Sequence, residues 1–188
     1  MDRESTHAPR EAPVRLGLFL FLVSVSAMFT AALVAYGVTR NAQQAQFVAR
    51  GVPVGVWMST GLLVMLTGAI HLGKKAALDN APRRCHRALT ASLFLAVAFC
   101  AAQVLSWRSI YRLEELRHTM YAFTFYMLTG LHVLHVFGGI IPLAWITRRA
   151  GQGEYSSSRA EPLRLITIYW DFLSVIWLVL LTTLVLGS

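Results

Sequence analysis

Tyr121–Ile146 runs for 26 residues without an Asp, Glu, Lys or Arg. A helix rises about 1.5 Å per residue, so about 20 apolar residues cover the roughly 30 Å hydrocarbon core of a bilayer. This run can cross with tilt. The whole chain agrees with a membrane setting: of 188 residues, 56% are hydrophobic and 14% charged. A soluble domain carries about 25% charged residues.

Four more apolar runs accompany it: Leu16–Tyr36, Val54–Leu72, about Ala88–Trp107 and about Leu165–Leu186. The expected fold is therefore all-α, a polytopic five-transmembrane-helix bundle forming one domain over residues 1–188. The first run has 21 residues, whereas a cleaved signal peptide has an apolar centre of about 7–15. It reads as a retained helix behind a short polar tail, Met1–Pro13. Polar connections are expected over Gly37–Pro53, Gly73–Arg87, Ser106–Thr119 and Thr147–Pro162. RLEELR in the third suits a short surface helix, although plain solvation explains its charges equally well. Pro142 frees the carbonyl of Gly138, so a kink is expected near Gly138–Gly139. Gly130, Gly138, Gly139 and Pro142 read as packing positions, because small residues let helices approach closely.

The net charge of +8 does not point to nucleic acid. The basic residues flank apolar runs rather than clustering on a soluble face. Of 17 Lys and Arg, the tail, second loop and fourth loop hold twelve, and the opposite side holds five. The positive-inside rule then sets the N-terminus in the cytoplasm and the C-terminus outside, in the periplasm. Trp57, Trp107, Trp145 and Trp170 are placed as interface anchors. The two cysteines, Cys85 and Cys100, lie about 22 Å apart on a helical path, beyond disulfide reach.

Few ionisable groups fall within the runs. His132 and His135 share one helical face at a spacing of three, Asp171 lies in the last run, and His71 ends the second. Intramembrane ionisable groups are costly and face the bundle interior in pairs. Depth along the two antiparallel helices differs by about one turn between Asp171 and His135, so a hydrogen bond between them is expected. Gln103 is the one large amide of the third run and needs a partner. Structural hydrogen bonding, a proton relay and haem or metal ligation compete for the histidines. Haem held between helices needs a His on each of two facing helices, and a metal wants a third ligand. Here the two His are adjacent on one helix with none mid-membrane elsewhere, and Asp171 alone is a thin candidate for the third ligand. No nucleophile–base–acid set is present, so no catalytic residue is assigned.

The segment TFYMLTGLHVLHVFGG resembles subunit III of the haem-copper respiratory oxidases, whose five-helix bacterial forms carry FxxLTGxHxxHVxxG. IYWDFLSVIWLVL is similar to that family's YWHFVDVVWLFL, and GLFLFLVSVSAMFTAALVAY to its FLASEVMFFAGLFAAY. TGLLVMLTG and AFCAAQVLSWR fit its second and third helices. The resemblance implies a subunit without redox cofactors that packs on the catalytic subunit I among other oxidase subunits. It also implies phospholipid binding and support of proton uptake, with haem and copper in the partner. The matching positions are Ser24, Gln103, Thr129, Gly130, His132, His135, Gly139, Tyr169, Trp170 and Phe172. Ser24, Gln103, Thr129, His132, His135, Tyr169 and Asp171 are taken as one structural polar network. Three positions depart from the family pattern. Val25 and Ser106 replace carboxylates, and Asp171 replaces the YWHF histidine, which leaves open whether Asp171 takes over the acid role.

The function expected from these residues is a non-catalytic subunit of a terminal oxidase in the bacterial plasma membrane, part of an oxidoreductase complex in aerobic electron transport. An accessory subunit of a nitric oxide reductase, a membrane cytochrome using His132 or His135, and a small transporter are the alternatives.

Overall fold

The structure, a computed structural model, describes residues 11–42, 54–112 and 120–187. Five helices follow one another: α1 Glu11–Ala42, α2 Val54–Leu78, α3 Pro82–Tyr111, α4 Met120–Gly151 and α5 Glu161–Gly187. All five are long and apolar enough to cross a membrane. The expected RLEELR surface helix lies, except for Arg112, outside the described residues.

The helices outrun the apolar stretches that reveal them. The expected loop Gly73–Arg87 is the clearest case, for only residues 79–81 leave helix there. Lys and Arg are good helix formers, and the apolar positions among them keep facing inward, with Ala76, Ala77, Cys85 and Leu89 buried. The turn itself is a Schellman end. Asn80 takes a left-handed φ of 53°, its N–H donates to Ala77 O, and the N–H of Ala81 donates to Ala76 O. Pro82 then opens α3, where a missing N–H costs nothing. The same motif ends α4: Gly153 has φ 75°, its N–H reaches Ala150 O, and that of Glu154 reaches Arg149 O. A single 3-10 turn, Ser157–Arg159, leads into α5. Asn80 Oδ1 accepts the Ser157 N–H at 3.1 Å, so the two connections at the basic end are tied together.

Four helices close a ring in the order α2, α3, α4, α5, and α1 lies against the outside of α4 and α5. The buried positions of α1 are Val25, Phe29, Ala32 and Tyr36, spaced four, three and four, which is one narrow helical stripe. In α5 the stripe is Tyr169, Trp170, Leu173, Trp177, Leu180 and Leu184. Pro142 sits within α4, which continues as helix on both sides of it. At its basic end Arg15 Nε pairs with Glu161 Oε1 at 2.6 Å, joining α1 to the first turn of α5.

Candidate functional site

The polar side chains inside the bundle are laid along the seams between helices. A hydrocarbon solvent offers them no partner, so hydrogen bonds between helices are favoured. Between α2 and α3, Gln103 Nε2 donates to Ser59 Oγ at 2.7 Å, both residues being fully buried. Between α3 and α4, Trp107 Nε1 donates to Thr129 Oγ1 at 2.9 Å, and Tyr126 donates its hydroxyl to Trp107 O at 2.8 Å. Between α4 and α5, the Tyr169 hydroxyl donates to His135 O at 2.7 Å.

The α2–α5 seam carries three side-chain bonds. Trp177 Nε1 donates to Thr60 Oγ1 at 2.9 Å. The hydroxyls of Thr67 and Ser174 lie 2.8 Å apart. His71 Nε2 donates to Asp171 Oδ1 at 2.9 Å. This last bond replaces the expected Asp171–His135 pair. Successive helix positions turn by about 100°, so Tyr169 and Asp171, two apart, point to different neighbours. Tyr169 faces α4, which sends Asp171 toward α2. Depth along the helices is compatible with His135, but direction around α5 is not. His135 instead turns its Nδ1 to Leu131 O within its own helix, at 2.8 Å.

The expected polar residues therefore do not make one network. Ser24 bonds only Leu20 O and faces outward. His132 stands apart from all the others. It is fully buried, and neither ring nitrogen has a hydrogen-bond partner among the described residues. Phe99 packs at 5.7 Å, Trp177 at 5.1 Å and Phe29 at 6.3 Å between ring centroids. An aromatic ring of similar size without unpaired nitrogens should suit this cage better. His132→Phe is expected to stabilise the folded chain by about 1–3 kcal/mol, measured as a higher midpoint of denaturation in detergent. A loss of stability would show that the nitrogens are satisfied by a group inside the bundle.

Of the expected packing positions, Gly139 is the tightest. A Cβ there would lie 2.5 Å from Tyr169 Cε1 and 3.3 Å from Trp170 Cζ2. Gly130 faces Trp107 Cζ2 at 3.9 Å, and Gly138 faces no side chain within 4 Å. Gly138 and Pro142 line an apolar cleft of about 390 Å³ between α1, α4 and α5. Trp57 and Trp145 are exposed, and Arg149 lies 4.0 Å over the Trp145 ring. Trp107 is half-buried and bonded to Thr129. Trp170 is not an interface anchor: it is fully buried against Gly139. Its level along α5 suited an interface, but its direction places it in the α4–α5 seam.

Val25, where the resemblance expects a carboxylate, is buried in the stripe of α1, and Ser106 lies against Gly55. Among the described residues no three His, Cys, Asp or Glu side chains come together as a metal-binding group. Cys85 and Cys100 are both free. Sequence reading missed Ser59, Thr60, Thr67 and Ser174 as seam partners and Phe29, Phe99 and Trp177 as the walls around His132. The spacing of seven between Trp170 and Trp177 was a signal that both share one face of α5.

Five membrane-length helices, held together by hydrogen bonds across their seams, define a multi-pass membrane bundle in which the polar groups join helices. The sequence profile of the family described as cytochrome c oxidase subunit III matches residues 4–187. The chain belongs to that family. It is 31% identical over 175 residues to cytochrome c oxidase subunit 3 of Thermostichus vulcanus, covering 90% of this chain and 85% of that one. It is 30% identical to the protein of the same name from Synechocystis, covering 95% and 81%. A plant relative, cytochrome c oxidase subunit 3 of Marchantia polymorpha, is 26% identical over 97% of this chain and 73% of its own.

Proposed function

We propose that this chain is the accessory subunit III of a respiratory haem-copper terminal oxidase, seated in a bacterial plasma membrane. It packs on the catalytic subunit I and stabilises it, binds phospholipid and supports proton uptake, while haem and copper reside in the partner. The observation that carries this reading is the family match over residues 4–187. The basic end of the bundle lies in the cytoplasm, with the N-terminus, and the C-terminus is periplasmic. In this role the seam residues keep five helices in one geometry so that an outer face can dock.

The geometry does not favour a membrane cytochrome. His132 is walled by three aromatic rings, and His135 commits one nitrogen to its own helix. The names of the relatives also speak for an oxidase rather than a nitric oxide reductase. A tagged full-length chain, purified from its own membranes in mild detergent, is expected to bring down a haem-bearing polytopic subunit. The isolated chain should show no Soret band. A Soret band in the isolated chain, or capture without any haem protein, would overturn the reading.

A further inference from the structure

The His71–Asp171 pair has an unusual setting. Asp171 lies ten residues past the start of α5 at Glu161, about 15 Å along the axis. That is within about 5 Å of the middle of the membrane-length span Glu161–Leu186. His71 is about 8 Å from the middle of its own span, Val54–Leu78, and one turn inside Lys74 and Lys75 at its basic end. Yet the side chains are 45% and 42% exposed. Ionisable groups at membrane depth turn inward or toward a polar cavity, because lipid tails cannot solvate them. This pair turns outward. Asp171 Oδ1 accepts from His71, and no other described side chain donates to the carboxylate within hydrogen-bond distance.

The surroundings fit a covered face rather than a lipid-facing one. α1 lies over the α4–α5 side of the ring and leaves the α2–α5 side open among the described residues. Gly68, one turn before His71, meets no side chain within 4 Å, and neither does Gly61 two turns earlier. These glycines do no packing inside the bundle. They leave room for a second backbone to approach beside the pair. An outward acid at this depth calls for a donor from outside the chain, and a helix lying along Gly61 and Gly68 is placed to bring one.

We infer that the open α2–α5 face, centred on His71 and Asp171, is the surface that docks on the oxidase's catalytic subunit, and that a transmembrane helix of that subunit sets a hydrogen-bond donor against the Asp171 carboxylate. This rests on the reading of the chain as subunit III and names the face that reading leaves open. The pair then acts as a registration point. The His71 bond fixes the carboxylate in one direction, and the free oxygen selects a helix with a donor at the same depth.

The test uses the native complex. A photo-crosslinking amino acid is placed at Met65, exposed one turn from both Gly61 and Gly68, or at Val175, exposed one turn past Asp171, with Phe19 of α1 or Phe94 of α3 as comparison. Crosslinks from Met65 and Val175 to the haem-bearing subunit, with none from Phe19 or Phe94, are expected. Asp171→Asn and Asp171→Leu should each lower the haem recovered per tagged chain by about three- to tenfold, the range for losing an interhelical hydrogen bond in a membrane. His71→Gln, which keeps a donor to Asp171, should retain more haem than Asp171→Leu. The crosslinking variants leave the pair intact, so misfolding of an Asp171 variant does not decide the outcome. Crosslinks from Met65 and Val175 only to lipid or to a second copy of this chain would overturn the inference, as would full haem recovery with Asp171→Leu. If no haem protein copurifies with the unaltered chain, it is the subunit III reading that fails.

Discussion

Gly139→Leu is expected to separate α4 from α5 at their closest crossing and to cost about 3 kcal/mol or more. A Cβ at this position already falls 2.5 Å from Tyr169 Cε1 and 3.3 Å from Trp170 Cζ2. Trp170 is fully buried and has no space to retreat into. Overpacking a filled interior costs about 1–3 kcal/mol, occasionally more. Moving Tyr169 also breaks its hydrogen bond to His135 O, which adds about 1 kcal/mol. The readout is the denaturation midpoint in detergent together with the yield of folded chain. Gly138→Leu is the comparison: that position faces no side chain within 4 Å and should change stability by less than about 1 kcal/mol. Equal damage at both positions would show that helix backbone flexibility, rather than the α4–α5 contact, is what glycine supplies here.

The contrast between these adjacent glycines shows what a single sequence carries and what it withholds. Helix number and approximate span follow from apolar runs, because a bilayer demands a fixed length of apolar helix. Depth along each helix follows from counting residues. Rotation about the helix axis does not, since it depends on which neighbour each helix meets. The errors fall where rotation decides. Depth alone suits Trp170 to the interface, yet it lies in a seam. Depth alone pairs Asp171 with His135, yet it bonds His71. Gly138 and Gly139 look alike in sequence, yet only Gly139 meets the next helix. The basic connection between α2 and α3 fails for another reason: charge marks a segment as membrane-flanking without saying whether it is helical. The better local marks were Asn80 and Pro82, which carry the turn. The LTGLHVLHV and YWDF segments lie on α4 and α5. The hydroxyl partners Ser59, Thr60, Thr67 and Ser174 were not legible, because Ser and Thr are common in membrane helices and bond their own backbone readily.

Trp177→Ala should be the most damaging truncation in the bundle. Trp177 is fully buried, packs on Phe99 at 5.2 Å and on His132 at 5.1 Å, and ties α5 to α2 through Thr60. In a bilayer the unfolded helices are already out of water, so the loss is not one of hydrophobic transfer. It is a loss of dispersion contacts around a cavity that the surrounding rings cannot fill. Large-to-small changes of this kind cost about 3–5 kcal/mol in protein interiors, and the orphaned Thr60 hydroxyl adds little, because it still donates to Val56 O. Trp177→Phe keeps most of the ring and drops the N–H, so it should cost only about 1–2 kcal/mol. The ratio of the two losses, read from denaturation midpoints, separates packing from hydrogen bonding at the α2–α5 seam. If Trp177→Phe proves as destabilising as Trp177→Ala, the bond to Thr60 holds that seam, and the aromatic wall around His132 is secondary.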